Sequence, residues 1–187
     1  HVYIYSSART NTDLIIINEC GLIHPFKRKT DHFYSIDKRR DLWYVLEKIN
    51  GQSYIKTSRD LKDFNTLFEF KKMIQVRSFF IKNDYMLIYT RENGLLFLYV
   101  YYFCDQKVLK LQFMKQRHHF FLPYMYNFNF DSHEIYVKYS SFTVPRSLIK
   151  IDLHTKDIKL LSKRKFITYD PNKYTEKIMM IDDKLSM

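Results

Sequence analysis

Apolar and polar residues alternate along most of this chain in short runs, and each run ends in a polar turn. The pattern predicts strands at residues 2–7, 13–19, 32–38, 42–48, 53–58, 74–81 and 85–90. Further strands are predicted at 95–103, 107–113, 124–130, 134–140, 147–153, 157–162 and 176–181. Some alternate strictly: Ile149-Lys150-Ile151-Asp152-Leu153 puts Ile149, Ile151 and Leu153 on one face. Leu61, Phe64, Leu67 and Phe68 fall at helical spacing, but caps are missing, so Asp60 to Lys72 reads as a connecting segment with one helical turn. Asn93-Gly94 reads as a type I′ hairpin turn. Pro145 is expected to start a strand, where a missing N–H costs little.

Short strands at close, even spacing are the mark of a sandwich, a barrel or a propeller. A propeller blade uses four strands in roughly 40–50 residues, so this length holds about four blades and not a whole ring. Periodicity leaves a barrel and an incomplete propeller both open.

Composition supports strands. Of 187 residues, 46% are hydrophobic and 18% aromatic, with 16 Tyr and 16 Phe, enough to build a core on pleated surfaces. Only Gly21, Gly51 and Gly94 are available for the many turns. Trp43, the single tryptophan, is expected to be a core ring.

The net charge of +11 raises nucleic acid or an anionic membrane as partners. Lys and Arg are dispersed, however, and the dense runs Lys27-Arg28-Lys29 and Lys163-Arg164-Lys165 are short and far apart. A solvated surface is therefore the expectation, with neither nucleic acid nor membrane as partner. The longest apolar run, Leu95 to Cys104, is too short to span a bilayer. Cys20 and Cys104 make neither a disulfide framework nor a zinc pattern, so they read as reduced, buried thiols of a cytoplasmic protein. The chain begins at His1 without a cleavable leader and reads as a fragment.

Candidate chemistry is sparse. A serine nucleophile on a strand-to-helix elbow needs Gly-x-Ser-x-Gly, which is absent. Asp131-Ser132-His133 holds three triad residue types, but chain neighbours do not converge on one carbonyl, and a polar turn between strands is the expectation. His118 and His119 point to opposite faces if they lie on a strand, so no metal site is expected, nor any cofactor.

A family resemblance then enters, residue by residue. Tyr139-Ser140-Ser141-Phe142-Thr143-Val144-Pro145, followed by Leu148 to Leu153, resembles the last propeller blade of oligopeptidase B in the prolyl oligopeptidase family. Tyr169-Asp170-Pro171-Asn172-Lys173-Tyr174-Thr175-Glu176 is similar to the segment by which that family leaves its propeller for the hydrolase domain. His32-Phe33-Tyr34, Asp41 to Leu46, Asn50 to Lys56, Asp84 to Ile88 and Glu92 to Leu95 resemble earlier blades in the same order. Two turns depart from the family, with Arg40 and Lys156 where relatives carry Gly. A non-Gly residue costs on the order of 1 kcal/mol if such a turn keeps positive φ.

The resemblance implies an all-β fold, an incomplete β-propeller of about four blades of four-stranded antiparallel sheets, over residues 1–168. It implies that residues 169–187 lead towards an α/β-hydrolase domain absent from this chain, with Tyr169, Asp170, Pro171, Tyr174 and Glu176 as the linker and Glu176 as a hinge or interdomain contact. The implied function is gating: the propeller limits which short peptides reach a catalytic domain that cleaves after basic residues. No catalytic residue is expected within this chain. The other expectations are a stand-alone basic binding module and an inactive remnant of a longer gene.

Overall fold

Tight turns fold the alternating runs back on themselves, and each resulting sheet is an antiparallel meander. The computed structural model describes residues 2–8, 11–18, 21–23, 32–111, 119–165, 170 and 173–175. It separates into two units, His1–Gln112 with Asn129–Ser132, and Phe113–Phe128 with His133–Met187.

The first unit holds three sheets. β1 (Val2–Ala8), β2 (Asn11–Asn18) and β3 (Gly21–Ile23) form one, in that order. β4 (His32–Arg39), β5 (Leu42–Ile49), β6 (Gln52–Ser58) and β7 (Asn65–Glu69) form the second. β8 (Ile74–Ile81), β9 (Tyr85–Glu92), β10 (Leu95–Tyr102) and β11 (Val108–Leu111) form the third.

The second sheet is buried on both faces. In β5, five consecutive residues from Trp43 to Glu47 are buried, which only a strand covered on both sides permits. Tyr44, Leu46 and Ile55 face the third sheet, where they pack with Val76, Phe79, Ile81, Met86, Ile88 and Tyr101. Trp43 and Val45 point the other way and pack with Tyr34, Ile36 and Leu61. Trp43 is thus the core ring its sequence context implied, with the Lys38 ammonium 4.7 Å above it.

Among the described residues of the second unit, β12 (His119–Phe121), β13 (Glu134–Ser140), β14 (Ser147–Asp152) and β15 (Ile158–Lys163) form a sheet in that order. Phe120, Ile135, Val137, Ile149 and Ile151 are buried. The expected alternation is present in β14, where Ile149 and Ile151 are covered and Leu148 and Lys150 are partly open.

Three expectations are corrected. Residues 124–130 are not a strand: Tyr124–Asn127 is a short helix, α1. The Asn127 side chain explains this, because its amide donates to the Tyr136 carbonyl (2.9 Å) and accepts from the Tyr136 N–H (2.9 Å). It thereby fills the place of a neighbouring strand beside β13. Residues 60–72 hold β7 rather than a helical turn, since Leu61 and Phe64 are drawn to one core cluster and Leu67 and Phe68 to the other. Pro145 precedes β14 by two residues instead of starting it, and its carbonyl accepts from the Ser147 hydroxyl at 2.8 Å. The strand expected at 176–181 lies outside the described residues.

The turns carry the local strain. Asn93 and Gly94 have φ of 48° and 78°, and Asn50 and Gly51 have 49° and 79°, so both Asn-Gly pairs make type I′ hairpins. Arg40 (φ 53°) and Lys156 (φ 67°) adopt the same left-handed region without being glycine. Replacing either by Gly is expected to raise stability by about 0.5 kcal/mol, the relief of a left-handed side chain less the entropy Gly adds to the unfolded state. Gly94→Ala, with open space around the added methyl, should instead cost about 1 kcal/mol through φ alone. Urea midpoints of the three variants measure this, and a destabilised Lys156→Gly refutes the strain argument.

Candidate functional site

Asp131 and Ser132 lie in a turn, where the Ser132 and Asp131 N–H groups donate to the Asn129 carbonyl and side chain at 3.4 and 3.1 Å. That turn joins α1, not a strand, to β13. The His133 ring meets His154 at 6.0 Å. No group of three or more His, Cys, Asp or Glu converges on a metal position among the described residues. His119 is exposed on β12, and His118 lies outside the described residues. Cys104 is exposed in the turn after β10, contrary to the buried thiol expected; Cys20 lies outside the described residues. No described helix is long and apolar enough to cross a membrane.

The polar side chains do form three clusters with specific geometry. The first fastens the second sheet to the third. Asp37 accepts from the Ile81 N–H (3.1 Å) and the Lys38 N–H (2.8 Å), while Arg39 donates through Nε to the Asn83 carbonyl. The Arg39 guanidinium also lies 4.2 Å over the Phe103 ring. Burial raises the Asp37 carboxyl above its ordinary value against the lowering effect of those two N–H groups. Next to it Lys82, almost wholly buried, donates to the Asn129 carbonyl at 2.9 Å, and burial lowers its ammonium.

The second cluster lies on the opposite face of the second sheet. Lys56 Nζ is 2.6 Å from Glu47 Oε2, close enough for an ion pair although not aligned as a hydrogen bond. Burial and the Glu47 carboxylate push the Tyr34 phenol up to about 12. On the third sheet, the Glu92 carboxylate accepts from Tyr99 (2.6 Å), Thr90 (3.0 Å) and Lys110 (2.8 Å). The Lys110 ammonium also sits 3.5 Å over Phe97. Each of these clusters joins side chains or backbone of different strands.

The second unit contains an open cleft of about 510 Å³ on the face of its sheet. His119, Lys138 and Arg146 line it, together with Ser140, Ser162 and Phe121. The sequence drew attention to His119 as a rejected metal candidate and to Ser140 within a family-like run, but nothing local grouped them with Lys138 and Arg146.

Each residue singled out in the sequence has a local setting. Asn93 and Gly94 form the β9–β10 hairpin of the first unit. In the second unit Pro145 closes the loop in which Ser141 Oγ accepts from the Thr143 and Val144 N–H groups (3.1 and 2.9 Å). Lys173 N–H donates to the Asp170 carbonyl at 3.2 Å, and Tyr174 is half exposed. Tyr169, Pro171 and Glu176 lie outside the described residues.

Successive four-stranded antiparallel meanders define a module of the β-propeller class. Comparison with known proteins makes the assignment specific. Residues 15–164 match the family described as the prolyl oligopeptidase N-terminal β-propeller domain, and the chain belongs to that family. Among solved structures, oligopeptidase B from Trypanosoma brucei superposes with a TM-score of 0.81 at 16% identity, over 92% of this chain and 27% of that one. Oligopeptidase B from Leishmania major gives 0.79 at 12% identity over the same shares. Prolyl oligopeptidase B from Galerina marginata gives 0.73 at 16% identity, over 91% of this chain and 26% of that one. At these identities the likeness is one of fold, and the chain spans about a quarter of those enzymes. No curated protein matches the chain.

The Glu92 cluster yields a test with a defined sign. Burial opposes ionisation of Glu92, but the Lys110, Tyr99 and Thr90 hydrogen bonds outweigh it and hold the carboxyl below its usual range. The cluster's stabilisation is therefore present above the ordinary carboxyl pKa and lost as pH falls through the lowered folded value. Glu92→Gln is expected to cost about 1 kcal/mol at neutral pH, after discounting for solvent screening, and much less in acid. Urea unfolding at several pH values measures it; a cost independent of pH refutes the assignment.

Proposed function

We propose that this chain is the access-filtering part of an oligopeptidase B-like serine peptidase, limiting which peptides reach an α/β-hydrolase domain carried elsewhere. The observation that carries the reading is the family match across residues 15–164, with three sheets built as the four-stranded meanders of a propeller. A propeller filters by exclusion. Stacked sheets held by apolar cores and polar ties resist opening, so an extended peptide passes where a folded domain does not. In this reading residues 1–168 form the filter, and residues 169–187, including Tyr169, Asp170, Pro171, Tyr174 and Glu176, lead towards the hydrolase domain. Ile158, Leu160 and Leu161 are exposed along β15. An apolar outer strand of this kind supports further packing against another part of the same enzyme.

In this reading the chemistry belongs to the hydrolase domain. The polypeptide by itself is therefore expected to show no turnover of peptides bearing Arg or Lys before the scissile bond. Hydrolysis by a homogeneous sample, abolished by a serine-directed inhibitor, overturns this. Joined to an oligopeptidase hydrolase domain, the chain is expected to favour a short peptide over the same sequence in a folded protein by about tenfold or more. Equal rates on the two substrates, measured by mass spectrometry of the products, sink the filtering role.

A further inference from the structure

The cleft of the second unit has a chemistry that its role in a peptidase filter does not require. Strand pairing brings its cations together from distant parts of the sequence. His119 on β12 pairs with Ser140, Phe121 pairs with Lys138, and the Arg164 N–H donates to the Arg146 carbonyl at 2.9 Å. Lys163 pairs with Ser147 at the same end. His119, Lys138 and Arg146 thus converge on one space with Ser140 and Ser162, and no Asp or Glu lines it among the described residues.

Among the described residues, no carboxylate lines the cleft beside its cations. The Lys138 ammonium lies 5.8 Å from the centre of the Phe121 ring and 5.4 Å from that of Tyr126. The acids of the sheet stand at its other end, where Glu134 is paired with Asp152 across the strands and is bonded by Lys150. From Ser147 to Asp152 the strand runs about 16 Å, roughly two Debye lengths at physiological salt. Glu134 and Asp152 are therefore too far away to neutralise the basic end.

We propose that this cleft binds an acidic peptide segment, with its carboxylates held by Arg146 and Lys138. A guanidinium matches a carboxylate with two parallel N–H groups, and an ammonium adds a second point charge. The Ser140 and Ser162 hydroxyls supply further donors, and Phe121, with nearly half its surface exposed, offers an apolar floor for an aliphatic stem. A volume of about 510 Å³ suits a few extended residues. Nucleic acid is the poorer match, because it is bound along a continuous basic stripe rather than in one pocket of two or three cations. The proposal stands apart from the filtering role and survives its failure.

The test uses the intact chain and a dye-labelled peptide rich in Glu, with the Gln version of the same peptide and a single-stranded oligonucleotide as comparisons. Fluorescence anisotropy is expected to show the Glu peptide binding about tenfold tighter than the Gln peptide. The preference should shrink as salt rises from about 50 to about 500 mM. Lys138→Gln with Arg146→Gln should abolish the preference. Ser162→Glu, at an exposed position on the cleft wall, should do so independently, which keeps the test decisive if the double variant folds poorly. Equal binding of the two peptides, an unchanged preference in a folded variant, or tighter binding of the oligonucleotide overturns the proposal.

Discussion

The first unit depends on burying both faces of one sheet. β5 places Trp43 and Val45 on one side and Tyr44 and Leu46 on the other, and all four are nearly excluded from water. Full burial of each such side chain stabilises by roughly 1.5–3 kcal/mol, so this strand contributes more than any single polar tie. A sheet covered on one side needs only half its positions to be apolar. A stacked sheet needs nearly all of them, and β5 and β9 both show such runs.

Polar groups supply the alignment that apolar burial leaves undefined. Apolar contact between two sheets tolerates small slides, whereas a hydrogen bond does not. Asp37 and Arg39 project from β4 onto the Ile81 N–H and the Asn83 carbonyl, and the Ser53 hydroxyl accepts from the Val76 N–H at 3.3 Å. Each tie reaches backbone of the third sheet, so it sets where that sheet lies along the second.

The second unit distributes charge differently. Glu134 pairs with Lys150 at one end of the sheet, while among the described residues no Asp or Glu lines the cleft with Lys138 and Arg146 at the other. A net charge of +11 over the whole chain conceals this division. Even dispersal in sequence became a concentrated site once strands β12 to β15 were laid side by side.

Much of the fold was legible in the residues. Alternation located the strands from His32 onward, apart from short β12 and misread β7, because period-two burial is a local property of a strand. Asn93-Gly94 announced its turn, since few residue pairs tolerate two positive φ angles in succession. Arg40 and Lys156 could be matched to glycine turns only through family likeness, and the backbone at both is left-handed as that likeness implied. The helix at Tyr124–Asn127 was not legible, because it depends on Asn127 bonding to Tyr136, nine residues away. Nor was β7, whose apolar residues are divided between two clusters. The cationic cleft was least legible of all. What the sequence by itself determined was where the chain extends and where it turns, since those follow from each residue and its neighbours. Which charges pair, and which gather in one cleft, only the tertiary structure decided, because strand register sets distances that chain order does not contain.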